Sequence, residues 1–234
     1  MQSLQAVLFD MDGTLVETEE LWGEAMDELA AQLGGVFSAE GRQQTVGASM
    51  RVAMQVLYAD LGLTRDEEQL VSDAQWVEQR TAALMTSRGM PWRPGARELL
   101  LAVADAGLAT ALVTTTPRRI AALVIDSISA DLGRMPFDVT VCGDEVPARK
   151  PDPAPYLQAM AALGVEPGGC LVVEDSQVGV AAGLAAGAVV LGVPSLQPLE
   201  AGGLLTLRAS LVGLTVADLA ALVDDVRAGS SPPA

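Results

Sequence analysis

The chain has 234 residues, 50% of them hydrophobic and 19% charged, and its thirty acidic and fourteen basic residues give a formal net charge of −16. That apolar content suffices for one large core, or a core with a small satellite, and excludes disorder over the bulk of the chain. No cluster of Lys and Arg stands ready to displace counterions, so nucleic acid and anionic membranes are excluded as partners.

Histidine and asparagine are both absent, which removes an imidazole base, a His metal ligand, a Ser-His-Asp triad and a glycosylation sequon. Lysine occurs once, at Lys150. Cys142 and Cys170 form no CxxC pair and lie in apolar runs, as buried reduced thiols do. The first residues reach Asp10 without the basic region of a signal peptide. The uncharged stretch 178–194 is Ala- and Gly-rich and divides into a helix and a strand, so it is not read as a membrane span. A cytoplasmic protein is expected.

In chain order, a short apolar run at 6–9 predicts the first strand. From 17 to 89 no strand is predicted, only amphipathic helical patterns around 21–33, 50–61 and 66–85. Alternation resumes at 91–95, with a helix over 96–106 and a strand over 109–113. Strands follow at 139–142, 170–173 and 188–193, with a helix over 155–163. Gly107, Gly164 and Gly187 each fall just past a helical run, where a left-handed cap is wanted. Gly179, Gly183 and Gly187 recur every fourth residue, a spacing that predicts close packing of a helix on a sheet. The tail 229–234 has the composition of a frayed end. Continuous apolar strands separated by helices imply an α/β fold, a parallel sheet covered on both faces. Residues 1–16 and 90–234 are expected to form it, with an all-helical domain, 17–89, inserted after the first strand.

The predicted strand ends carry the chemistry. The first leads into Asp10-Met11-Asp12-Gly13-Thr14, a fixed pattern that arises by chance at roughly one position in 10⁵. In open parallel sheets the ligand crevice lies beyond the carboxyl ends of the strands. Two carboxylates there repel, and a hard cation such as Mg²⁺ relieves that repulsion. An EF-hand starting at Asp10 would need Gly where Leu15 stands and Glu where Leu21 stands, and a P-loop would need Gly-Lys-Ser/Thr, so both fail. The second strand ends at Thr114-Thr115-Thr116, where a hydroxyl and helix N-terminal N–H groups suit phosphate oxygens, although an ordinary helix cap reads the same way. Lys150 precedes a Pro-Asp-Pro turn, and the fourth strand ends in Glu174-Asp175-Ser176. Acid, hydroxyl, ammonium and acid thus converge on one face.

The succession DMDGT, LVT, KPDP and VVEDS resembles the haloacid dehalogenase superfamily of phosphohydrolases, in the branch with a helical cap after the first strand, over about residues 6–194. The resemblance implies a Rossmann-like core and Mg²⁺ as cofactor. It implies Asp10 as the nucleophile that forms an aspartyl-phosphate, and Asp12 as the acid that protonates the leaving oxygen and then the base that activates water. Thr114, Thr115 and Lys150 would bind the phosphoryl group. Asp10, Asp12 (through its carbonyl), Asp175 and Glu174 would serve the metal. Thr115 departs from the family, where Asn often stands.

An acid at Asp12 fits the loss of an alkoxide, which needs a proton, better than the loss of a halide. Relatives resembling β-phosphoglucomutase carry histidine where this chain has Trp22, and tryptophan there is similar to hexitol- and deoxysugar-phosphate phosphatases. The segment Gly47-Ala48-Ser49-Met50-Arg51 resembles the loop with which relatives select substrate, making Ser49 and Arg51 candidates beside Trp22; a solvated helix arginine is the competing reading of Arg51. Trp76 and Trp92 read either as sugar-stacking rings or as core, and Arg118 and Arg119 as near-site or solvated. The expected activity is hydrolysis of a small phosphomonoester, a sugar or polyol phosphate, by a monomer. The alternatives are a phosphosugar mutase and a catalytically idle binding module.

Overall fold

A computed structural model gives the structure of residues 4–229; of the frayed end expected at 229–234, Gly229 closes a helix and 230–234 lie outside the described residues. Strands β1 (Ala6–Phe9), β2 (Ala109–Val113), β3 (Val139–Val141), β4 (Cys170–Glu174), β5 (Val189–Gly192) and β6 (Leu205–Leu207) form one sheet in the order β3-β2-β1-β4-β5-β6. Every pairing is parallel, and Phe9 stands between Leu112 and Val173. Strand order reverses at β1, so the crevice beyond β1, β2 and β4 is where a ligand is expected in such sheets.

The strands read as unbroken apolar runs because both faces are covered, yet alternate residues go to different layers. Val7, Phe9, Leu112, Leu171 and Val173 pack with α5 (Ala96–Asp105), α6 (Arg118–Leu132) and α9 (Val216–Gly229). Ala6, Leu8, Ala111, Val113 and Val172 pack on the other side with α7 (Ala154–Leu163) and α8 (Gln177–Ala185). The expected close contact of α8 with the sheet occurs at Gly183, where a Cβ would lie 3.1 Å from Val190 and 3.2 Å from Val172. Gly187 instead takes φ +81° just after the helix, as a left-handed cap.

Between β1 and α5 lie four helices, α1 (Glu19–Gln32), α2 (Ala39–Thr45), α3 (Met50–Asp60) and α4 (Glu67–Arg88). Their apolar stripes meet: Met26 and Leu29 of α1, Met54 and Leu57 of α3, and Val77 and Leu84 of α4 are all buried. Asp66 and Gln69 close a capping box on α4, satisfying N–H groups that its first turn leaves orphaned. Asp73, buried, is satisfied by Tyr58 OH (2.8 Å) and Arg65 Nη2 (2.7 Å). The two connections to the sheet run side by side: Val16 and Trp92 form an antiparallel bridge, and Glu17 pairs with Arg93 across it.

Helix α9 and two smaller elements went unpredicted. The edge strand β6 has three residues and follows Gly202-Gly203, with too little apolar alternation to register. Helix α2 is short, polar and contains Gly41. Among the described residues no helix is long and apolar enough to cross a membrane.

Candidate active site

At the carboxyl end of β1 the chain turns sharply through Gly13 (φ +77°), and Leu15 N–H donates to the carbonyl of Met11 at 2.9 Å. A Cβ on Gly13 would stand 2.2 Å from Asp175 Oδ2, so both the left-handed backbone and the close approach require glycine. Asp175 accepts from Thr14 Oγ1 (3.3 Å) and from Ser195 Oγ, which follows β5.

Lys150 enters from the segment before α7, its side chain 2% exposed. Its ammonium donates to Asp10 Oδ1 (2.7 Å), Val113 O (2.9 Å) and Glu174 Oε1 (2.6 Å), which uses all three of its protons. Tyr156 OH donates to the same Glu174 oxygen at 2.9 Å. The other Glu174 oxygen accepts from the main-chain N–H of Asp175 and Ser176 and from Ser176 Oγ, at 3.0–3.2 Å. Glu174 is therefore fully engaged by protein donors. Asp10 Oδ2 accepts from none among the described residues.

Burial opposes the Lys150 charge, but Asp10 and Glu174 outweigh it and hold the ammonium well above its ordinary pKa. Burial, then the charge of Glu174, pushes the Asp10 carboxyl well up, against the pull of Lys150. The same two causes raise Asp175 to about 7. Asp10, Glu174 and Asp175 each bring a carboxylate oxygen within 4.8 Å of the others. Burial and repulsion drive Asp10 and Asp175 toward protonation, and a divalent cation such as Mg²⁺ compensates hard oxygen donors placed this way, so the residues fit one.

The Asp12 carboxylate lies outside that cluster. Its Oδ1 accepts from Thr18 Oγ1 and Trp22 Nε1 (3.3 Å), and its Oδ2 from Thr116 Oγ1 (2.7 Å) and, at 3.5 Å, Thr114 Oγ1. Any service of Asp12 to a metal thus falls to its main-chain carbonyl. Thr18 sits at the start of α1, where a threonine reads as a helix cap, but it caps nothing and binds Asp12 instead.

Above these groups is a cavity of ≈ 630 Å³. Asp10, Asp12, Lys150 and Asp175 border it, with Thr114, Thr115 and Thr116, and α1, α2 and α3 supply the opposite wall. Trp22 lines it. Ser49 and Arg51 do not: Ser49 caps α3 through Val52 N–H, and the half-exposed Arg51 is taken by Glu67. Their place in the loop was legible, but not that α3 turns them outward. Arg118 pairs with Glu145, Arg119 with Glu78 of α4, and Trp92 donates to Asp131, all away from the cavity; Trp76 packs against the apolar core. Glu19, unforeseen, borders the cavity, its carboxyl pushed well up by burial and then by Asp175, Asp12 and Asp10.

Comparison with known proteins agrees with this arrangement. The family model of haloacid dehalogenase-like hydrolases matches residues 4–187. Protein CbbY of Rhodobacter capsulatus is 36% identical over 198 residues, 82% of this chain and 86% of that protein. A phosphorylated carbohydrates phosphatase of Thermotoga maritima is 33% identical over 79% of this chain and 82% of its own length. The crystal structure of CbbY from Rhodobacter sphaeroides in complex with xylulose-(1,5)bisphosphate superposes with a TM-score of 0.77 at 28% identity, covering 92% of this chain and 99% of that one. With the strand-end acids, the single lysine and the helical insertion in place, the chain belongs to the haloacid dehalogenase-like hydrolases.

Proposed function

We propose that the protein hydrolyses a small phosphomonoester, a sugar or polyol phosphate, through a phosphorylated Asp10. One observation carries this reading. Lys150 fixes one oxygen of Asp10 and leaves the other open, while a second acid, Asp12, is held nearby on hydroxyl and indole donors. The names of the relatives, a carbohydrate phosphatase among them, support a sugar substrate.

Asp10 Oδ2 attacks phosphorus as the ester P–O bond breaks, and Asp12, protonated, gives its proton to the departing alkoxide. Asp12 then takes a proton from water as that water attacks phosphorus, which frees phosphate and restores Asp10. Thr114 and Thr115 would contact phosphoryl oxygens from the β2 end. Asp10 and Asp175, with the Asp12 carbonyl, would hold Mg²⁺, and Glu174 serves by anchoring Lys150 and the turn into α8. The bound ion supplies charge neutralisation for an anionic nucleophile meeting an anionic ester. Residues 17–89 act as the lid that covers the reacting centre. The buried, reduced Cys142 and Cys170 suit a chain working in the cytoplasm.

Turnover of p-nitrophenyl phosphate with Mg²⁺ tests the reading. Wild type is expected to release phosphate and Asp10→Asn to release none while keeping its melting temperature. Near-normal turnover by Asp10→Asn would remove that carboxylate from the mechanism.

A further inference from the structure

The cavity is much larger than a phosphate group, and its outer half has its own chemistry. Trp22, Met26, Phe37 and Met50 give the helical wall an apolar surface. The charges on that wall are chiefly acidic: Glu19, Glu20 and Asp27 of α1 border the cavity, and the one cation there is Arg42 of α2. Arg42 is already paired with Asp27. Lys150 has its three protons committed on the opposite side, and Arg51, bound to Glu67, lies outside. Among the described residues, then, no unpaired Lys or Arg side chain faces the part of the cavity where the body of the substrate must sit. A second phosphate or a carboxylate needs such a partner to replace its lost hydration. Glu19, in contrast, offers acceptor oxygens that no donor among the described residues fills.

Resting on the hydrolase reading above, we propose that the substrate carries one phosphate on an uncharged alcohol, with hydroxyls toward Glu19 and C–H faces against Trp22 and Met50, and that bisphosphates and phosphorylated carboxylic acids are rejected. A polyol or deoxysugar monophosphate has that character. The crystal structure of a related CbbY holds a bisphosphate, the kind of ligand this proposal excludes here.

The test compares kcat/KM, with Mg²⁺, for fructose 6-phosphate and 2-deoxyribose 5-phosphate against fructose 1,6-bisphosphate and phosphoglycolate, with p-nitrophenyl phosphate as the reference ester. The two neutral-bodied monophosphates are expected to lead by 100-fold or more. Asp27→Asn, which releases Arg42, should narrow the lead over the bisphosphate at least tenfold. Comparable turnover of the bisphosphate by wild type overturns the selectivity and leaves the hydrolase reading intact. An unchanged ratio in a folded Asp27→Asn overturns the charge-pair basis of the selectivity. Failure on every ester, p-nitrophenyl phosphate included, overturns the hydrolase reading, and the selectivity with it. The wild-type comparison needs no variant, so a misfolded substitution does not shield the proposal.

Discussion

Gly179 lies so close beneath Glu174 that a Cβ there would stand 1.7 Å from Glu174 Oε1. By helix propensity alone, Gly→Ala inside α8 should stabilise by up to about 1 kcal/mol. Here it must displace a carboxylate that five donor groups hold. Gly179→Ala is therefore expected to destabilise by about 3–5 kcal/mol, the range for breaking a buried ion pair, and to lower kcat with it. Gly183→Ala meets only side-chain carbons of Val190 and Val172, at 3.1–3.4 Å, and should stay within about 1 kcal/mol of wild type. Urea midpoints of the two variants measure the contrast; equal values would mean that the Glu174 carboxylate has room to move.

Lys150 compensates two buried acids at once. Lys150→Met leaves Asp10 and Glu174 as uncompensated neighbours, with an expected loss of about 3–5 kcal/mol. Turnover should fall by 10³-fold or more. Lys150→Arg should not rescue it, because a planar fork cannot place one nitrogen among Asp10, Val113 and Glu174. Near-normal kcat in the arginine variant would show that charge alone suffices.

Asp12 is expected to matter in proportion to the basicity of the departing oxygen. With an alkyl phosphate, Asp12→Asn should lower kcat by about 10²–10⁴-fold, the usual range for a positioned acid or base. p-Nitrophenolate leaves without a proton, so the first step on that ester should survive. Rapid mixing should show a burst approaching one p-nitrophenolate per enzyme, then slow turnover as water waits for its base. Equal losses on both esters in the first step would take the acid role from Asp12.

Cys142, fully buried, has its thiol pushed by burial from the ordinary 9.0 to about 12. The folded chain keeps a proton that the unfolded chain gives up. Stability from this source is complete below about pH 9 and falls as pH rises toward about 12, by at most about 1.4 kcal/mol per pH unit. Melting temperatures from pH 8 to 11 should decline less steeply in Cys142→Ala than in wild type. Identical slopes would place the alkaline loss elsewhere.

The residues that were legible in the sequence are those whose position in the chain fixes their place in the fold. Asp10, Thr114 and Asp175 follow apolar strands, and a parallel sheet brings those ends together. Lys150 stood out by being alone. Thr18 and Ser195 did not, and Thr116 reads with its run as a phosphate contact or cap and not as a donor to Asp12, because a hydroxyl at a helix start or in a loop is ordinary and its partner is a matter of tertiary direction. Ser195 meets Asp175 only once β5 lies beside β4. Tyr156 reads as an apolar helix position, and its hydroxyl reaches Glu174 from within the core. Ser49 and Arg51 show the converse: their loop borders the cavity, yet the helix phase of α3 sends them to Val52 and Glu67.

The bridge between Val16 and Trp92 has a consequence for how such chains diversify. Both ends of the helical insertion meet at one pair of facing residues, about 4.5–5.5 Å apart in bridges of this kind. A different insert with ends at that spacing can be grafted there without disturbing a hydrogen bond of the parallel sheet. The graft would not be neutral to the chemistry, however: Thr18 and Trp22, which hold Asp12, lie inside the insertion, so a replacement must bring its own donors to that carboxylate.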